Sequence, residues 1–145
     1  MASKLQALWS TWLEVVLVGV ALFSIILIVA PDITTTFFNL LVFSGSPPDV
    51  LMEPEVVAYL QFVYGLMGAV MLGWCVSLYY LVHVPFRDGE RWAWTALATS
   101  ITVWFCIDSV HSILAGFWQN ALFNVVFFVA FAIPLATTFS SLFPA

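Results

Sequence analysis

The chain has 145 residues, 63% of them apolar and 8% charged, with three Lys/Arg against eight Asp/Glu and a net charge of −5. A water-soluble domain carries about 45–50% apolar and about 25% charged residues, so this composition belongs in a lipid bilayer. It also excludes a nucleic-acid binder, which needs a basic face, and two cysteines exclude a disulfide scaffold.

A hydrocarbon core of about 30 Å takes roughly 20 helical residues. Residues 8–30 meet that length and stop at Pro31-Asp32. This run contains Glu14 and exceeds the roughly 7–15-residue core of a signal peptide, and Pro31 would follow directly after any cut. It therefore reads as a retained span. Residues 33–43 are apolar but too short to cross, and they predict an interfacial or re-entrant helix capped by Asp32. Ser44-Gly-Ser-Pro-Pro-Asp49 is a turn-rich loop. The second span, residues 55–83, opens at Glu53-Pro54-Glu55, with proline in the first turn and acids facing the positive end of the helix dipole. Inside it Gly65, Ala69 and Gly73 recur every four residues and Gly68 widens the stripe, a spacing that lets helix backbones approach closely. The expected partner is the third span, through Ala93, Ala96 and Ser100. A groove for another molecule is the alternative.

A tight turn over residues 85–91, with Asp88 as cap, leads into the third span, residues 90–117. The fourth, residues 120–139, contains Pro134, which cannot donate to the carbonyl of Ala130 and leaves it free. No ten-residue alternation recurs, so a β-barrel is excluded, and no internal repeat or linker divides the chain. The expected fold is all-α: one transmembrane domain, an integral membrane four-helix bundle with a short interfacial helix in its first connection. Lys4, Arg87 and Arg91 fall on one side of that topology, and Asp32, Asp49, Glu53 and Glu55 on the other. The positive-inside rule then predicts a cell (inner) membrane protein with both termini in the cytoplasm. Trp9, Trp12, Trp92 and Trp94 near one face and Trp118 near the other read as an aromatic belt. Cys75 and Cys106 differ in depth by roughly 10 Å at helix rise, too far for a disulfide, and read as packing residues.

Ionisable residues inside a membrane are costly, which makes them the first functional candidates. Asp108 lies about 25 Å from the start of the third span by helix rise, and His111 and Ser112 share its face at i+3 and i+4. Gln61 and Tyr64 of the second span and Asn120 and Asn124 of the fourth lie at similar depth. Together they predict a polar cluster in the extracytoplasmic half, either a ligand-binding or proton-transfer site or interhelical glue. Asn120 also suits a helix cap. Two ligands on one helix are too few for a metal site. Glu14 reads as snorkelling to the interface, or pairing with Lys4 or Arg91, and His83 as an interfacial histidine. His111 or His83 could each serve as a single axial ligand of a pigment or haem, but they sit at opposite faces and cannot share one iron.

The run Pro85-Phe-Arg-Asp-Gly-Glu-Arg-Trp-Ala-Trp94, Asp108, Ser112-x-x-x-Gly116, Asn120-x-x-x-Asn124 and Pro134-Leu135 resembles small four-helix bacterial membrane proteins that are DoxX-like in general shape. The resemblance implies a fold only; it assigns no residue a role. No catalytic motif appears. The expected function is an accessory or scaffold subunit of a larger membrane complex of respiratory or photosynthetic type, partnered by membrane lipids and by another membrane protein or a second copy. The alternative is a binder or carrier of a quinone, isoprenoid, lipid or pigment, with the outer polar cluster holding its head group. The third reading is an enzyme using Asp108 and His111 as acid and base.

Overall fold

The computed structural model describes residues 4–143. Among them there is no strand, and five α-helices follow one another: α1 Lys4–Val29, α2 Pro31–Phe43, α3 Pro54–Leu81, α4 Arg91–Leu114 and α5 Trp118–Leu142. Four stretches, Lys4–Val29, Pro54–Phe86, Arg91–Leu114 and Trp118–Leu142, are long and apolar enough to cross a membrane. This is the pattern of a multi-pass membrane protein. Each boundary lies within a few residues of the expected span, as frayed helix ends allow. The chain forms two compact units, one of residues 19–75 and the other of residues up to 18 together with those from 76 onward.

In the unit of residues 19–75, Pro31 explains the break between α1 and α2. The residue before a proline is pushed out of the helical region, and Ala30 adopts φ −129° and ψ 64°. Pro31 then starts α2 where its missing N–H costs nothing. The expected cap at Asp32 is absent, because Asp32 lies one residue inside the helix and its Oδ1 accepts from Gln61 Nε2 at 3.1 Å. Thr34 is buried and its hydroxyl turns back to the Ile26 carbonyl, at 3.3 Å. Aromatic contacts continue the packing, with Phe23 edge-on to Phe37 and Phe38 stacked on Tyr64 at 4.7 Å.

Among the glycines of this unit, Gly68 makes the tightest contact. A Cβ there would lie 2.6 Å from the Ser24 carbonyl oxygen and 2.9 Å from Leu27 Cβ, so only glycine lets α3 meet α1 at this point. A Cβ on Gly65 or Gly73 meets nothing within 4 Å, and Ala69 is exposed. Within this unit the tight contact is therefore at Gly68, against α1, and not at Gly65 or Gly73. Residue 68 stands about 60° round the helix from residue 65 at 3.6 residues per turn, and within this unit the contact falls there.

In the other unit, α4 and α5 pack side by side. They are joined by a connection of only three residues, in which Gly116 takes φ +86°. The Phe117 amide closes on the Ser112 carbonyl at 2.8 Å. α5 continues as helix through Pro134, and the carbonyl of Ala130 that the proline cannot reach accepts from the indole N–H of Trp12 at 3.0 Å. The Trp94 indole donates to the Leu135 carbonyl at 2.9 Å. These two tryptophans, expected at the interface, thus place their N–H groups on α5 backbone. α3 ends in a π-helical turn, Val82–Phe86, containing Pro85. A proline there cannot donate to the carbonyl four residues back, and widening the turn relieves the clash. The bonds Arg87 N to Val82 O and Glu90 N to Pro85 O span five residues each. Phe86 is fully buried, and its carbonyl accepts from the Gln6 side chain. Glu90, not the expected Asp88, occupies the N-cap position of α4, without a side-chain cap.

Candidate functional site

Asp108 sits two turns before the end of α4, where the short connection brings back the first two turns of α5. Residues four apart share a helical face, so Asp108 and Ser112 form one rail and Asn120 and Asn124 the other. Asp108 Oδ2 accepts from Asn124 Nδ2 at 2.9 Å, and its Oδ1 accepts from Ser112 Oγ at 3.4 Å and Asn120 Nδ2 at 3.5 Å. Asn120 Nδ2 also reaches Ser112 Oγ at 2.8 Å. Ser112 and Asn124 are buried. Asn120 therefore ties α4 to α5, while the N-cap position of α5 is Phe117. The arrangement is a polar clasp in which both carboxyl oxygens of Asp108 have donors from within the same helical hairpin.

The other residues read as candidates from the sequence lie elsewhere. His111 is exposed and is not among the donors to Asp108. Gln61 bonds Asp32, and Tyr64 stacks on Phe38, both within residues 19–75.

A second polar contact was not visible in the sequence. His83 Nδ1 lies 2.9 Å from Glu14 Oε1, and Tyr79 stacks on the imidazole with ring centroids 5.3 Å apart. Glu14 thus pairs with His83, not with Lys4 or Arg91. The π-helical turn sets this geometry, since His83 is its second residue. The available signal was depth: Glu14 and His83 lie at matching levels of two consecutive, antiparallel spans. Their separation of 69 residues hid it.

α4 and α5 also enclose an apolar groove of about 420 Å³, lined by Trp94, Ala98, Thr102, Phe128, Ala132 and Ala136 among others. Small residues at 98 and 102 on one helix and 132 and 136 on the other leave the space between larger neighbours. That pairing of i, i+4 small positions is legible in the sequence. Arg91, one turn before Trp94, holds its guanidinium 5.5 Å from the centre of the Phe143 ring, a cation–π contact.

Comparison with family models, curated proteins and solved structures finds no match.

Proposed function

We propose that this protein is a four-helix membrane bundle acting as an accessory or scaffold subunit of a larger membrane assembly. The observation that carries this reading is the small-residue face of α3, which nothing within residues 19–75 fills: a Cβ on Gly65 meets no atom of that unit within 4 Å. In a bilayer, such a face lets a second helix approach closely, and close packing is what drives helices together where the hydrophobic effect gives no help. The polar residues inside the spans support the same reading. Asp108 with Asn120 and Asn124, and Glu14 with His83, are engaged with one another across helices, as groups holding a framework are.

The orientation that fits the charges has both termini in the cytoplasm of a bacterial-type inner membrane, with Lys4, Arg87 and Arg91 on that side. The test is Gly65→Leu in mild-detergent extracts of native membranes, read on native gels beside thermal unfolding of the purified chain. Loss of a larger complex with unchanged unfolding temperature is the expected outcome. A wild-type chain that migrates alone, or a Gly65→Leu variant that keeps its complex, overturns the assembly reading. The groove between α4 and α5 favours a second reading, the holding of an apolar molecule.

A further inference from the structure

We infer that the α4–α5 groove is a binding site for one anionic phospholipid, its acyl chain along the groove and its phosphate on Arg91. This rests on the second reading above and names the ligand class. The groove's lining runs along α5 from Phe128 to Phe139, eleven residues apart, which is about 16 Å at the helical rise of about 1.5 Å per residue. A full hydrocarbon core is about 30 Å thick, so the groove covers the depth of one leaflet, the reach of a lipid chain entering from one face. It is apolar throughout except for the Thr102 hydroxyl and the Trp94 indole, and that indole N–H is already bonded to the Leu135 carbonyl.

The polar end of a ligand therefore has to lie at one mouth, and there Arg91 offers a cation, with Asp88 and Glu90 in the turn before it. Trp94 and Phe139 line the end of the groove nearest the start of α4. Both rings contact Phe143, and the Arg91 guanidinium lies over Phe143. Arg91 is exposed, and among the described residues no carboxylate pairs with it. A guanidinium presents donors in a fork that matches phosphate oxygens. An anionic lipid leaves a net charge to be neutralised at that position, whereas a zwitterionic lipid carries its own counter-charge and a neutral quinone has none to offer. The outer polar clasp at Asp108 is no rival head-group site for this lipid, because Asp108 lies six residues beyond Thr102 toward the other end of α4 and offers an acceptor where a phosphate needs donors.

The experiment is native mass spectrometry of the full chain released from mild detergent, with equimolar phosphatidylglycerol and phosphatidylcholine of identical acyl chains. The expected wild-type result is retention of one phosphatidylglycerol with roughly five- to tenfold preference, the scale of one basic contact to an anionic head group. Arg91→Gln should bring the two lipids close to parity. Ala136→Phe, which fills the groove, should lower retention of both, and Ala98→Phe serves the same purpose should the first variant fail to fold, as judged by helical circular dichroism. Parity in the wild type, an undiminished preference in Arg91→Gln, or full retention in a folded groove-filling variant overturns the site. So does retention of a neutral isoprenoid quinone ahead of both lipids. None of these outcomes depends on whether the protein migrates within a larger complex, so the two proposals fail separately.

Discussion

Asp108 receives donors on both carboxyl oxygens, from Ser112, Asn120 and Asn124. Exchange for asparagine keeps a side chain of the same shape with one acceptor, whereas leucine leaves the buried Asn124 amide without its partner, at about 1–2 kcal/mol by model-peptide measurement. Asn120 keeps its bond to Ser112. The expected outcome is a small loss of thermal stability in detergent for Asp108→Asn and a much larger one for Asp108→Leu. Equal stability of the two would show that the clasp does not hold the hairpin. Trp12 offers a second test at the same scale. Trp12→Phe should cost about 1–2 kcal/mol, since the Ala130 carbonyl then has no donor. Pro134→Ala supplies a backbone N–H to that same carbonyl, so the cost of Trp12→Phe should shrink in the Pro134→Ala background. A double-mutant cycle measures this, and additive costs would mean that the indole bond does not compensate for the proline.

Individual helices here are shaped by a few positions that depart from helical rules. Pro31 ends α1 and begins α2, Pro85 widens the end of α3 into a π turn, and Pro134 stays inside α5 because a tryptophan supplies the missing donor. Gly68 makes a tight contact between α3 and α1 within residues 19–75. Adding a methyl group there places it against a backbone carbonyl that cannot rotate away, so Gly68→Ala should destabilise the purified chain by roughly 1–3 kcal/mol, the usual cost of overpacking. Gly65→Ala should leave thermal unfolding unchanged, because its Cβ enters open space. Equal effects at the two positions would contradict the close contact at residue 68.

For the whole molecule, four long apolar stretches and three basic residues make topology the first thing to measure. Reporter fusions within residues 87–90 should report cytoplasm, and fusions within residues 45–49 the opposite face. A fusion after Ala145, which lies outside the described residues, should also be cytoplasmic. A cytoplasmic signal from the 45–49 fusion would refute the orientation. It would also move Arg91, and with it the lipid site, to the other leaflet.

Composition and hydropathy alone determined the fold class, the four long helices and the short α2, because a bilayer imposes one length and one polarity on whatever crosses it. Local backbone chemistry was legible as well: Pro134 in the sequence pointed to an unpaired carbonyl at Ala130. That Trp12 answers it, 118 residues away, only the tertiary structure decided. The clasp was half legible, since i, i+4 spacing put Asp108 with Ser112 and Asn120 with Asn124. Which candidates joined them depended on how the hairpin closes: His111 faces outward, and Gln61 and Tyr64 are engaged within residues 19–75. The Glu14–His83 contact and the choice of Gly68 over the Gly65–Gly73 stripe likewise belong to tertiary structure. Spacing along a helix says which residues share a face. The rotation of one helix against the next decides what that face meets.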